Sequence, residues 1–359
     1  MVTGRRNSAA LAVIAIAAAL WILSSFSAVI IPLVVAIVLA VLVQALVDTI
    51  QSRWRWMPDW LVMATAALAI IAGTSTAIYV LGQGATSIVQ QGPALIDRVQ
   101  GLLHDVGRSV GVARPVELSA LIGDISLAQF AGALLSVVQG LFSALVVVLV
   151  YFIFLLLERK KGPRKIANIV GSRERSAAVL KELEQVATDI EVYIWVQTLT
   201  GLLLAAGSAM VMFAVGLDNA LFWTFVLFLL SFIPIIGVTV GSVAPALFAL
   251  LQFPTYWQAI AVFGGIQVVA FVIGNFFYPR MQAATQNISP VATMLALAFW
   301  TALWGLPGSF LAVPLTLMVM LVCAKFNNWR WVAILLSDTG TPESAAAAAR
   351  KDMDAKSGA

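Results

Sequence analysis

Hydrophobic positions along the chain fall in long unbroken blocks, not in alternation, and most blocks are near the length that crosses a bilayer. Apolar runs cover Ala9–Leu23, Val29–Val47, Trp60–Leu81, Leu134–Leu157, Val196–Val215 and Tyr256–Phe277. A spanning helix needs about 20 apolar residues, so each predicts a transmembrane helix, the first being slightly short. Two further stretches, Leu221–Leu251 and Val291–Cys323, are interrupted mid-run, in Ile233-Pro234-Ile235-Ile236-Gly237 and Trp304-Gly305-Leu306-Pro307-Gly308. In hydrocarbon an unpaired backbone amide costs several kcal/mol, so a broken helix persists only where protein or a polar cavity surrounds the break. Each broken stretch makes either two short spans or one re-entrant hairpin. The pattern predicts an all-α polytopic membrane protein of about eight transmembrane segments with two Pro/Gly-broken hairpins.

Two segments between the blocks carry helical periodicity of a different kind. Residues Gln83–Phe130 hold an apolar stripe at Leu95, Val99, Leu102, Val106 and Val110, the spacing of an amphipathic helix. In Glu158–Glu191 a basic run, Arg159 to Lys165, precedes a stripe at Val179, Leu183, Val186, Ile190 and Tyr193 that leads into the span at Trp195. The expected organisation is therefore a transmembrane hairpin and third span (1–82), an external amphipathic segment (83–133) and a further span (134–157). A basic linker and amphipathic helix (158–194), a core with the broken hairpins (195–324) and a mostly disordered tail (325–359) follow.

Composition and charge refine this picture. With 61% hydrophobic and only 11% charged residues, a soluble domain is excluded. The net charge of +4 would hint at nucleic acid if the cations were clustered on one soluble face. Instead, apart from Arg98, Arg108 and Arg114 in the external segment, which Asp97, Asp105, Glu117 and Asp124 match, they sit at Arg5 and Arg6, Arg53 and Arg55, Arg159 to Lys181, Arg280, and from Lys325 onward. By the positive-inside rule these segments are cytoplasmic, with both termini inside. Arg5-Arg6 and the run to Ala28 have the form of a signal peptide, but a second apolar run starts at once with Val29, which an uncleaved hairpin accounts for better. On this topology Leu221–Leu251 starts and ends outside and Val291–Cys323 inside, so the two would be inverted. Gly241-Ser242 with Pro245 echoes Gly308-Ser309 with Pro314.

The chain has no Walker-type phosphate loop, one histidine (His104, in the external segment) and one cysteine (Cys323, in an apolar run). The carboxylates Asp48, Asp189, Glu191 and Asp218 all fall at span ends. An embedded enzyme, a metal site and a cofactor site are not expected. Candidates for ion coupling are Asp218, Glu191 and Arg280, each equally a boundary charge. Solute recognition would rest on neutral groups: Gln197, Thr198, Gln267 and Asn275, with the backbone freed around Pro234 and Pro307. Half-helix ends beside the breaks add partial charges of roughly 0.5. Gln267 and Asn275 serve equally as interhelical packing, and Gly237 with Gly241 equally as a close helix approach.

Taken together, Phe232-Ile233-Pro234-Ile235-Ile236-Gly237, Gly241, Pro245, Asn275 to Arg280, Ser289-Pro290, Phe299-Trp300, Trp304-Gly305-Leu306-Pro307-Gly308 and Ala312-Val313-Pro314 resemble the autoinducer-2 exporter family of bacterial permeases. The resemblance implies a multi-pass bacterial inner-membrane permease, a homo-oligomer and specifically a pentamer, that moves small molecules or ions outward. It implies substrates such as the quorum-sensing signal autoinducer-2 or, for some members, sodium exchanged for protons. Family members often carry an aromatic residue after the first proline and a basic pair before the Ser-Pro; here those places hold Ile235 and the neutral Gln282 to Gln286.

The expectation is a secondary transporter whose substrate-binding or gating residues are Pro234, Gly237, Gly241, Pro245, Gln267, Asn275, Trp304, Gly305, Pro307, Gly308 and Pro314. The N-terminal hairpin and external segment would act as scaffold. Its partners would be a small polar solute or ion, the lipid bilayer and further copies of the chain, with no nucleic acid. Alternatives are a sodium/proton antiporter and a non-transporting membrane scaffold that recruits partners through its basic linker.

Overall fold

The computed structural model describes residues 14–15, 17–53, 59–109, 127–159, 161–234, 236–278, 281, 287–326 and 328–340. Described residues form helices and turns throughout: α1 (Ser27–Arg53), α2 (Asp59–Ser109), α3 (Leu127–Arg159), α4 (Gly162–Val170), α5 (Arg173–Val215), α6 (Ala220–Leu230) and α7 (Ile236–Gln252). Then come α8 (Trp257–Val272), which continues into a π-helical turn (Ile273–Phe277), α9 (Pro290–Trp304), α10 (Leu306–Lys325) and α11 (Arg330–Leu336). Among them, stretches within α1, α5, α8 to Phe277 and α10 are long and apolar enough to cross a membrane, and Ser143–Glu158, α6, Gly237–Gln252 and α9 are shorter apolar helices. Trp21, Phe154, Met210 and Phe271 are each more than 60% exposed; such surfaces suit lipid and not water. The chain is a polytopic membrane protein.

Two of these helices join regions that differ in sequence character. α2, with 51 residues, is about 76 Å long at 1.5 Å per residue, so the span from Trp60 and the first part of the external segment are one rod. α5, with 43 residues, likewise carries the stripe from Val179 without a break into the apolar run after Trp195. The chain nevertheless divides into two compact units.

Unit one comprises residues Met1–Asp59, Leu145–Trp195 and Met281–Ala359. Its core packs Ile190, Tyr193 and Ile194 of α5 against Val313, Leu317 and Met320 of α10 and Ala333 of α11, flanked by Val38 and Leu42 of α1. Of the stripe, Ile190 and Tyr193 are buried and Val186 is partly buried against this core, whereas Leu183 is 51% exposed. The tail expected to be mostly disordered (325–359) is folded in its first part, where α11 seats the fully buried Ala333 on α10. That reading weighed the Ala-rich last residues, which lie outside the described ones, and passed over the apolar Trp331 to Leu336.

Unit two comprises Trp60–Ala144 and Val196–Arg280. Its core joins Met212, Leu217, Ala220, Leu227, Phe248, Ala249, Val262 and Ile266, and Ile88 and Leu95 of α2 pack on it. The described part of the segment expected to be external thus continues α2 and packs through Ile88 and Leu95 on the body that holds the first broken hairpin. Gly84 permits this, because a Cβ there would overlap Phe222. Arg98 then donates from Nη2 to the carbonyls of Phe253 (3.3 Å) and Pro254 (2.8 Å), just beyond the C-terminus of α7, where a cation suits the helix dipole. α5 and α8 interlock reciprocally: Gly207 faces Val269, and Gly265 faces Val211. Close helix approach of this kind replaces the hydrophobic drive that lipid cannot supply.

Candidate functional site

Both broken stretches are helix–break–helix hairpins. α6 has 11 residues and α9 has 15, about 16 and 22 Å, so neither first arm alone covers a hydrocarbon core of about 30 Å.

Hairpin 1, α6–α7, lies in unit two. Pro234 lacks an N–H and cannot continue a helical ladder, and the turn is closed by Ile233 N–H to Leu230 C=O (2.9 Å) and Gly237 N–H to Ile233 C=O (3.0 Å). A carbonyl left over at Ser231 accepts from Nε2 of the buried Gln197 at 2.6 Å, while Ser231 Oγ donates to Phe228 C=O. Gly201 gives α5 room for this approach, since a Cβ there would meet Ser231 Oγ at 2.6 Å. Gly237 sits directly on the Leu230 carbonyl, and a Cβ at Gly241 would come within 2.9 Å of Leu230 Cδ1. The Gly237/Gly241 pair is thus a close-approach face as well as part of the break. Pro245, fully buried in α7, cannot bond the Gly241 carbonyl one turn back.

Gln267 on α8 faces this hairpin. Its Oε1 is 3.5 Å from Ser242 Oγ, too long for a strong hydrogen bond, and that hydroxyl already donates to Thr239 C=O at 2.9 Å. Asn275 lies in the π-helical turn, where its Nδ2 donates to the Phe271 carbonyl at 2.8 Å. π-Turns inside α-helices recur at functional sites. Here Asn275 both occupies the turn and satisfies the helix before it.

Hairpin 2, α9–α10, lies in unit one. Gly305 has φ 65° and ψ −144°, a conformation that only glycine adopts without strain. Its N–H closes α9 on Thr301 C=O at 2.8 Å, and its carbonyl accepts from Ser309 N–H at 3.2 Å. Pro307 stands in the first turn of α10, where a missing N–H costs nothing. Gly308 sits on the Trp300 carbonyl as Gly237 sits on that of Leu230. The structural counterpart of Gly308 is therefore Gly237, not Gly241 as the sequence echo had it. Trp304 Nε1 donates to Leu23 C=O (2.9 Å). Trp300 Nε1 donates to Thr316 Oγ1 (3.1 Å), which in turn donates to Ala312 C=O (2.6 Å). Pro314 is buried in the second arm of the hairpin. A cleft of about 390 Å³ opens beside these arms, lined by Leu295, Phe299, Trp300, Thr316 and Val319 among others, and it is apolar apart from the engaged hydroxyl.

The structure thus groups Pro234, Gly237, Gly241, Pro245, Gln267 and Asn275 in unit two, and Trp304, Gly305, Pro307, Gly308 and Pro314 in unit one. Of the ion-coupling candidates, Asp218 is exposed in the α5–α6 loop, where its N–H donates to Gln252 Oε1 (2.8 Å). Arg280 lies outside the described residues, as do Ile235 and Gln282 to Gln286. Glu191 lines a second cleft, of about 430 Å³, together with Glu184 and Thr188 of α5, Gln44 of α1 and the apolar Leu155 and Leu156 of α3. Thr188 Oγ1 donates to Glu184 C=O at 2.9 Å. Glu184, Thr188 and Gln44 were not singled out from the sequence. The signal was present: 184, 188 and 191 follow the i, i+4, i+7 rule that places them on one helix face.

Residues 10–328 match the family described as AI-2E family transporter. The chain belongs to the AI-2E transporter family. It is 26% identical over 318 residues to the AI-2 transport protein TqsA of Escherichia coli K12, covering 86% of this chain and 90% of that protein. A putative transport protein of Borreliella burgdorferi shares 26% over 310 residues (84% and 82%). The putative permease PerM of Escherichia coli K12 shares 27% over 335 residues (83% and 87%). The AI-2E match spans α1 to α10 and so includes both broken hairpins, and a transport role follows from the family. No cluster of His, Cys, Asp or Glu suited to a metal ion occurs among the described residues.

Proposed function

We propose that this member of the AI-2E family is a secondary transporter of the bacterial inner membrane that exports a small polar solute of low charge, autoinducer-2 being the first candidate. The observation that carries the reading is the pair of broken hairpins, each with a glycine seated on the last turn of its first arm. A helix pair in such close contact shifts as one body, while the break leaves polar backbone near it. Gln267, with its weak contact to Ser242, is the side chain best able to exchange a protein partner for a solute. Autoinducer-2 enters as candidate through TqsA, which is named for AI-2 transport. Assembly as a homo-oligomer and cytoplasmic termini belong to the same proposal. Gln267→Leu should raise the KM for autoinducer-2 uptake into proteoliposomes about tenfold, the loss of one good hydrogen bond. An unchanged KM would remove Gln267 from the site.

A second reading, sodium/proton exchange, is favoured by the Glu184–Thr188–Glu191 face in its cleft with Gln44. Carboxylate, hydroxyl and amide oxygens are the ligands a hard cation takes. Under that reading a pH step drives sodium across the vesicle membrane, and Glu191→Gln stops it while Asp218→Asn does not. The reverse pattern would return the role to Asp218.

A further inference from the structure

The C-terminal end of the described chain combines an apolar surface with a rigid link to hairpin 2. α10 has 20 residues, ending at Lys325, about 30 Å, the thickness of the hydrocarbon core. That length is enough to bring the residues that follow to a membrane boundary. α11 starts five residues later and turns Ala333, fully buried, toward α10, with Leu336 partly buried against the same core. Its opposite face, Trp331, Ile334 and Leu335, is 62%, 44% and 70% exposed, and Phe326 and Trp329 beside it are 57% and 46% exposed. A helix apolar on both faces leaves no side for water, and tryptophan favours the membrane interface. From Lys325 to Ser337 the sequence has the cations Lys325 and Arg330, and Asp338 follows, so charge adds only a small attraction to anionic headgroups and the apolar face supplies the rest.

The residues after α11 pair with the segment that leads into hairpin 2. Ser289 N–H donates to Leu336 C=O at 3.0 Å, and Asp338 N–H to Asn287 C=O at 3.3 Å. Asn287, 5% exposed, accepts on Oδ1 from Thr339 N–H (3.0 Å) and Thr339 Oγ1 (2.9 Å). Ser289 is itself the N-cap of α9, its Oγ accepting from Ala292 N–H at 3.0 Å. The start of the first arm of hairpin 2 is thus bonded to the end of α11.

We propose that α11 is a membrane-interface foot, its Trp331–Ile334–Leu335 face seated on the lipid surface of the leaflet at which α10 ends, and that this seating fixes the Asn287–Ser289 segment from which hairpin 2 starts. Lipid at the foot then sets how freely the first arm moves.

The test uses the full chain with Cys323→Ala, reconstituted in nanodiscs of zwitterionic or mixed zwitterionic and anionic phospholipid. A spin label at Leu335→Cys should collide more with oxygen than with a nickel chelate, as a site at the headgroup boundary does. A label at Glu174→Cys, exposed at the start of α5, gives the reference for open solvent. In parallel, Trp331→Ser/Leu335→Ser, which leaves Ala333 in place, should speed amide exchange severalfold in both 330–340 and 287–293, with α6 and α7 unchanged. Nickel access at 335 equal to that at 174 would overturn the foot, and so would shielding from both reagents, which would mean that a second protein chain covers this face. Unchanged exchange at 287–293 in the double variant would overturn the link to hairpin 2. Neither readout depends on which solute the protein carries.

Discussion

Gly305, Gly237 and Gly308 are three glycines with two different duties. Gly305 is required for its backbone conformation, so Gly305→Ala should destabilise the protein by about 1–3 kcal/mol, read as a lowered midpoint of thermal unfolding in detergent. Gly237 and Gly308 are required because a side chain would strike a backbone carbonyl, so even alanine must push the arms apart. The sequence marked all three as breaks but could not separate these duties, since conformation and distance leave the same letter. It also aligned Gly308 with Gly241, because Gly-Ser followed by Pro recurs easily in membrane helices, whereas the carbonyl beneath each glycine is visible only in the fold. Gln197 shows the same limit. Read as a neutral group for solute, it caps the Ser231 carbonyl, and Gln197→Leu, which leaves that buried acceptor unpaired, should cost about 1–3 kcal/mol. An unfolding midpoint equal to wild type would show the cap to be dispensable.

At the scale of elements, apolar blocks and stripes were legible because burial and lipid exposure both demand them over many residues. Continuity was legible in α5, whose stripe leads into the span at Trp195, but not in α2, which passes from apolar to amphipathic sequence without a cap or proline that would stop it at the change. Arg98 gave no signal at all, since the carbonyls of Phe253 and Pro254 lie more than 150 residues away in sequence. Charge-assisted bonds of this kind contribute about 1.5–3 kcal/mol, so Arg98→Ala should loosen the α7–α8 loop and the adjoining part of α2 together. Faster amide exchange in 92–102 and 250–256, partly restored by Arg98→Lys, would bear this out. Loss of protection in only one of the two would show that α2 is not held there. The exposed ion pair between Lys165 and Glu158 is a contrasting case, and its removal should leave stability nearly unchanged.

For the whole molecule, composition alone excluded a soluble protein, and the motif set around the two breaks pointed to the family that residues 10–328 match. The division into two compact units was not legible, because it cuts α3 and α5 within continuous helices, where sequence has no boundary to show. Each unit holds one broken hairpin, and the proposed transport cycle asks each to move as a body. Uptake of labelled autoinducer-2 into liposomes containing the purified protein, with and without a proton gradient, tests this most directly when Gln267→Leu is run alongside. The account predicts saturable, protein-dependent uptake that weakens in a variant that assembles normally. Absence of any protein-dependent flux of autoinducer-2, with or without the gradient, would contradict it.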